Sequence, residues 1–198
     1  MSTAGLIRRT ATIARTTRET RISVMVDLDG TGQAKIATGL GFLDHMLTSL
    51  SCHSGIDLSL SCAGDLQVDD HHTVEDCALA LGQALDASLG ARDAVRRFGS
   101  AYAPLDEALA RVVIDLVTRP HASVDLGLRR ERLGEVSCEN LTHFFISLAM
   151  SMRCTLHVDV LKGENDHHRA ESAFKALALA MREAITPSTR LASTKGVL

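Results

Sequence analysis

The chain has 198 residues, 45% of them apolar and 23% charged, and a formal net charge of −3. That length can bury one good core or two small ones, and the lack of a basic surplus argues against a dedicated nucleic-acid binder. Aromatic residues make up 3% and Trp is absent, so the core must come from Leu, Val, Ala and Met. No apolar run approaches the ~18 residues of a membrane span.

The N-terminal stretch from Leu6 to Arg18 is rich in Arg and Thr and lacks acid. Organelle transit peptides have that composition, but Ile7 and Ile13 among Thr residues also suit a pleated surface, and a strand is expected. Ile22, Val24, Val26 and Leu28 alternate, the period of a half-buried strand. A long loop from Gly30 to Gly41 leads to Leu43, Met46, Leu47 and Leu50 at helical spacing, with His45 among them. Ile56, Leu58 and Leu60 alternate as another strand. Val74, Cys77, Ala78, Leu81 and Leu85 then form an amphipathic helix that opens at His71-His72. A helix near Ala91 to Gly99 leads into the second half.

Arg111 to Val117 and Ala122 to Leu126 read as strands, and Leu128 to Glu139 as the second long loop. Leu141, Phe144, Phe145, Leu148 and Met152 mark a helix, Leu156, Val158 and Val160 a strand, and Phe174, Leu177, Met181 and Ile185 a closing helix. Each half reads strand, strand, helix, strand, helix. The expectation is an α+β fold, one pseudo-symmetric domain over 1–198 with half-repeats about 1–95 and 96–198. Its amphipathic helices must bury one stripe, so they pack on the sheets in layers.

The halves share chemistry as well as pattern. Asp70-His71-His72-Thr73-Val74-Glu75 returns as Asp166-His167-His168-Arg169-Ala170-Glu171. His45-Met46-Leu47-Thr48-Ser49-Leu50 returns as His143-Phe144-Phe145-Ile146-Ser147-Leu148, at an offset of 98 (143 minus 45). The His-His pairs are offset by 96 (167 minus 71), so a two-residue gap aligns both. Fixed-offset similarity marks internal structural repetition.

Adjacent helical residues point about 100° apart, whereas residues three or four apart share a face. Glu75 can therefore join His71 or His72 on one ion but hardly both, and Glu171 stands likewise to His167 and His168. Each His-His pair should split between two metals, each set being completed by the symmetric motif. With His45 and His143 the tally is three His and one Glu per metal. That leaves open positions on an octahedral ion, as a catalytic site needs. Nitrogen and carboxylate donors without thiolate suit Mn²⁺, Fe²⁺, Zn²⁺ or Ni²⁺ and do not choose among them. A lone His-His-x-x-Glu is most often a polar helix end; its duplication carries the metal reading. His121 and His157 fall in strands and read as structural, while His53, just past the His45 helix, is placed for a substrate contact. The five cysteines are odd in number and form no Cys-x-x-Cys pair, the pattern of reduced thiols in a cytoplasmic protein.

Four segments together resemble the imidazoleglycerol-phosphate dehydratase family of histidine biosynthesis. They are Gly41-Phe42-Leu43-Asp44-His45-Met46-Leu47, Asp69 through Asp76, Gly163 through His168, and the ending Ser193-Thr194-Lys195-Gly196-Val197-Leu198. The resemblance implies a hydro-lyase that dehydrates D-erythro-imidazole glycerol phosphate to imidazole acetol phosphate with two Mn²⁺ per active site. It implies duplicated half-domains with helices packed in a layer between sheets, and a 24-mer whose active sites are shared across subunit interfaces. One ion is expected to take His71, Glu75, His143 and His168; the other, His45, His72, His167 and Glu171.

In such a site, the metal-bound substrate imidazole ionises to an imidazolate. It expels the neighbouring hydroxyl, passes through a diazafulvene-like intermediate and loses a carbon proton to give an enol and then the ketone. A carboxylate must move those protons. The candidates are Glu171, which pure ligation would also explain, and Glu19, in Arg18-Glu19-Thr20, whose plain alternative is a solvated strand-end charge. Arg97, Arg119, Lys175, Ser193 and Lys195 match the family's phosphate-binding positions, where Arg forks and a Lys point charge suit a dianion. Thr48-Ser49 stands where relatives commonly have Asp-Gln, and Leu141-Thr142 replaces a common Val-Glu. A metal-dependent hydrolase and a metal-storage assembly are the rival classes. The first would turn over phosphate esters without an imidazole, and the second would need no phosphate anchors.

Overall fold

The computed structural model describes residues 8–190 and 192–194. The first half runs β1 (Thr10–Thr16), β2 (Thr20–Asp27), β3 (Ala34–Ala37), α1 (Gly41–Ser54), β4 (Asp57–Gly64) and α2 (His71–Leu89). The second runs β5 (Phe98–Leu105), β6 (Ala108–Asp115), β7 (His121–Asp125), a short hairpin of β8 (Arg132–Leu133) and β9 (Val136–Ser137), α3 (Cys138–Met152), β10 (Thr155–Lys162) and α4 (Asp166–Ala184).

The sheets repeat each other strand for strand, in the orders β1-β2-β4-β3 and β5-β6-β10-β7. Ile13, Val24, Leu60 and Ile36 lie side by side across the first sheet. Ala101, Val112, Val158 and Val124 form the corresponding row of the second. In both, the last strand of the order joins parallel to its neighbour and the other pairings are antiparallel. Ile22, Val24 and Val26 are buried while Arg21, Ser23 and Met25, which alternate with them, are exposed. Each sheet thus offers one apolar face.

The four helices fill the space between those faces. α2 lies on β1 and β2 and packs along α3; α4 lies on β5 and β6 and packs along α1. The two extensive helix–helix seams therefore both join the two halves. Phe144 and Phe145 of α3 meet Phe174 of α4, the last two with ring centroids 4.7 Å apart.

Four strands, β3, β5, β8 and β9, were not expected, and one expected helix is absent. β3 sits inside the predicted Gly30–Gly41 loop, with Ile36 as its only partly buried residue. The predicted helix near Ala91 to Gly99 is instead a turn followed by the start of β5. α2 ends at Leu89, and Gly90, Arg92 and Arg97 all take positive φ, which stops helix propagation. The inner face of β5 is Gly99, Ala101 and Ala103, whereas Phe98 and Tyr102 are 51% and 59% exposed. A Cβ on Gly99 would stand 2.0 Å from the Ala180 carbonyl oxygen of α4, so this face must be small. The predicted Leu128–Glu139 loop holds the β8–β9 hairpin. The N-terminal strand forms as β1; Leu6 and Ile7 lie outside the described residues.

Candidate metal centre

The duplicated motif falls at helix starts. The side chain of Asn165 accepts the His167 N–H at 2.9 Å and opens α4. Asp44 accepts the Thr38 N–H and hydroxyl, at 2.9 and 2.6 Å, and fixes the first turn of α1 beside His45. Because α1 and α4 pack together, His45 Nε2 comes within 3.1 Å of Glu171 Oε2, and His167 Nε2 lies 3.1 Å from the same oxygen. The α2–α3 seam does the same for the other half. His143 Nε2 is 3.0 Å from Glu75 Oε1, and His71 Nε2 is 3.9 Å from Glu75 Oε2. His45, His167 and Glu171 form one group able to hold a cation, and His71, Glu75 and His143 form another. Within each group the three ligand atoms lie inside 4.8 Å of one another.

The two rings of each His-His pair point apart, as neighbouring helical positions do. The His71 and His72 rings cross at 75°, those of His167 and His168 at 83°. His72 and His168 join neither group within the chain. His72 Nδ1 contacts the Asp65 carboxylate at 3.1 Å, and its Nε2 is 3.7 Å from Glu19. His168 Nδ1 is 2.8 Å from Glu107 Oε2, and its Nε2 is 3.9 Å from Asp106. His71 Nδ1 is 2.9 Å from the Asn140 Oδ1, and Asn140 in turn donates to the buried Asp70. In His71, His72 and His168 the supporting partner takes Nδ1 and leaves Nε2, and in His45, His143 and His167 it is Nε2 that faces the carboxylate of the group.

The electrostatics favour an ionised site. Burial alone would raise the Glu171 carboxyl, but Lys175, His45 and His167 outweigh it and hold it at about 2. Glu107 is also held at about 2, first by the Asn165 N–H and then by His168. Hydrogen bonds that His72 and His168 donate to the Asp65 and Glu107 carboxylates raise the two imidazoles respectively. Burial lowers His53, and the Lys175 charge lowers it further. The donor set, imidazole nitrogen with one carboxylate per group, fits a borderline divalent cation.

The match to a known family covers these elements. Residues 38–181 fit the model of the imidazoleglycerol-phosphate dehydratase family. An imidazoleglycerol-phosphate dehydratase of Candida glabrata is 53% identical over 208 residues, spanning 95% of this chain and 99% of that protein. The chain belongs to the imidazoleglycerol-phosphate dehydratase family. It is also 56% identical, over 192 residues and 96% of its length, to a Phytophthora nicotianae relative of that name, of which the match spans 42%. The crystal structure of the Staphylococcus aureus dehydratase superposes with a TM-score of 0.82 at 35% identity, over 90% of this chain and 99% of that one. The chain is accordingly a hydro-lyase of histidine biosynthesis with the family's α+β fold of duplicated halves.

The expected phosphate anchors do not all meet in one chain of this dehydratase fold. Arg97 and Ser193 line one cavity of about 630 Å³, together with Arg96, Phe98, Arg190 and Thr194. Arg97 grips Asp115 through two bonds of 2.6 and 2.9 Å and donates to the Ala192 carbonyl at 2.6 Å. Arg119 is exposed in the turn before β7 and does not line that cavity. Lys175 pairs with Glu171 at 2.8 Å; Lys195 lies outside the described residues. Arg97 N donates to the Ala184 carbonyl at the far end of α4, and Ala184 is 13 residues past Glu171 (184 minus 171). At 1.5 Å per residue the two sites are roughly 20 Å apart.

Asp65, Asn140 and Glu107 were missed in the sequence. Glu107 carried a signal. β1 and β2 begin at 10 and 20, and β5 and β6 at 98 and 108, so Glu107 stands 88 residues past Glu19 in the matching turn. Asp65 and Asn140 lie outside any repeated motif and gave none.

Proposed function

We propose that the chain dehydrates D-erythro-imidazole glycerol phosphate to imidazole acetol phosphate by a metal-dependent route, with two Mn²⁺ per active site. The observation that carries this reading is the pair of symmetric His-His-Glu groups, each closed by a carboxylate 3.0–3.1 Å from an imidazole nitrogen. Two divalent ions there would supply Lewis acidity to the substrate imidazole and a template for its orientation. His71, Glu75 and His143 would hold one, and His45, His167 and Glu171 the other. His168 completes the first set and His72 the second.

The reaction moves a proton from carbon and one to the departing hydroxyl. Glu19 is half exposed and reaches toward the Nε2 side of His72, so it is free to meet a substrate and serve as acid/base. Glu171, ionised and tied to Lys175, is the second candidate. Arg97, Arg119, Lys175, Ser193 and Lys195 are assigned to the phosphate, and His53 to a substrate contact.

These roles call for more than one copy of the chain. The fourth imidazole of each set is held elsewhere in its own chain, and Arg97 lies roughly 20 Å along α4 from Glu171, far beyond one glycerol phosphate. A homo-oligomer with active sites between subunits, of 24 copies, reconciles both. The cytoplasm is the proposed compartment, supported by five unpaired thiols. Among the described residues no helix is long and apolar enough to cross a membrane.

The test is turnover of imidazole glycerol phosphate by metal-stripped protein before and after Mn²⁺ addition, with sedimentation of both forms. Activity that appears only with metal, near two ions per chain, is the expected result. Full activity in stripped protein sinks the metal route. Active monomers sink the shared site.

A further inference from the structure

Glu107 and Glu19 occupy the same turn of their respective halves, yet they address opposite nitrogens of the paired imidazoles. Glu19 stands 3.7 Å from Nε2 of His72, the atom proposed to ligate. Glu107 instead contacts Nδ1 of His168 at 2.8 Å. Its other oxygen accepts the backbone N–H groups of Glu164 at 3.1 Å and Asn165 at 2.9 Å. One carboxylate therefore ties the β5–β6 turn both to the loop that starts α4 and to an imidazole in its first turn.

A carboxylate accepts and cannot donate, so its partner nitrogen must carry the proton. A proton on Nδ1 leaves the lone pair on Nε2, and the fixed hydrogen bond holds the ring plane. Asp65 serves His72 from the opposite direction, at the end of β4. The duplicated fold has thus put one turn glutamate behind an imidazole and left its counterpart in front of one.

We propose that Glu107 is a positioning residue that sets the tautomer and orientation of His168, so that Nε2 alone is presented to a divalent cation. This rests on the metal reading above.

Glu107→Gln separates this role from a purely structural one. The amide oxygen can keep accepting from Glu164 and Asn165, while the NH₂ group faces Nδ1 and drives the imidazole proton to Nε2. The experiment is a Mn²⁺ titration of the metal-stripped assembly, followed by calorimetry and by the electron paramagnetic resonance of free Mn²⁺, with thermal midpoints of the metal-free forms. Wild type should bind two ions per chain. E107Q should hold one as tightly as wild type and the other about 10–100-fold more weakly, with an unchanged metal-free midpoint. Glu107→Asp, which keeps the charge but falls short of His168, should show the same selective loss and stands in if E107Q does not fold. Wild-type affinity at both sites in the variants overturns the assignment, as does a lowered midpoint with both affinities intact. Wild-type protein that binds no divalent ion overturns the metal reading itself, and this one with it.

Discussion

Lys175 and Glu171 lie one helical turn apart on α4 and use only one carboxylate oxygen between them. Nζ is 2.8 Å from Oε1, while Oε2 faces His45 and His167 at 3.1 Å each. The lysine keeps the carboxylate ionised and leaves its other edge to the imidazoles. Glu171→Gln removes the anionic donor of its group and leaves Lys175 beside two imidazoles. We expect turnover to fall by at least about 100-fold, since losing a mere supporting partner already costs 10–100-fold. One of two Mn²⁺ should be lost, with assembly retained. Kinetics, metal analysis and sedimentation check this; normal activity would remove Glu171 from both ligation and proton transfer.

Glu19 makes the opposite prediction for metal. Its side chain is half exposed and no nearer than 3.7 Å to His72, so Glu19→Gln should leave both ions and the thermal midpoint in place. If it moves a proton, kcat falls by about 10²–10⁴-fold with little change in KM. An unchanged kcat assigns Glu19 to the solvent.

The sequence showed the fold where side chains alternate or recur in the size the core needs. β2, β4, β10 and all four helices meet that condition, and the candidate metal ligands stood out because a motif appears twice. β5 failed it because α4 presses against the strand, so the inward positions are Gly and Ala while Phe98 and Tyr102 face outward. Partners such as Asp65 and Asn140 were hidden for another reason. Each works by reaching one ring nitrogen in space, from a loop and from α3, and nothing in local spacing reports that.

Gly99 tests the account of β5. Adding a side chain there would drive Cβ into the Ala180 carbonyl and close to Ala184 N, at 2.9 Å. Both are backbone atoms of α4 that cannot swing aside. Gly99→Val should therefore destabilise the fold by about 1–3 kcal/mol, the usual cost of overpacking, and lower the thermal midpoint with or without metal. A midpoint equal to wild type would mean that α4 is not held against β5.

Asp57 carries an acid-sensitive share of stability away from the metal groups. Its Oδ1 accepts the N–H groups of Thr31 and Gln33 at 2.8 Å each, bracing the loop before β3. The Gln33 bond first, then the Thr31 bond, lowers its pKa below the ordinary 3.8. A carboxyl depressed in the folded state stabilises above its unfolded pKa, and that contribution fades as pH falls through the folded value. The midpoint gap between wild type and Asp57→Asn should thus be constant near neutrality and shrink below about pH 4. A gap that grows on acidification contradicts the assignment.

The C-terminal segment makes the last test. Arg97 is locked by Asp115 and holds the tail through the Ala192 carbonyl, so that Ser193 and Thr194 line the same cavity as Arg96 and Arg190. If this cavity takes the substrate phosphate, deleting residues 193–198 removes Ser193 and Lys195 while leaving both metal groups whole. KM should rise by about tenfold or more, the equivalent of some 1.4 kcal/mol for one lost charged contact, with Mn²⁺ stoichiometry unchanged. Asp115→Asn should move KM in the same direction by a smaller factor, because Arg97 remains but is no longer held. An unchanged KM in the truncated chain would take the phosphate away from this cavity, leaving Arg97 as a strut between β6 and the tail.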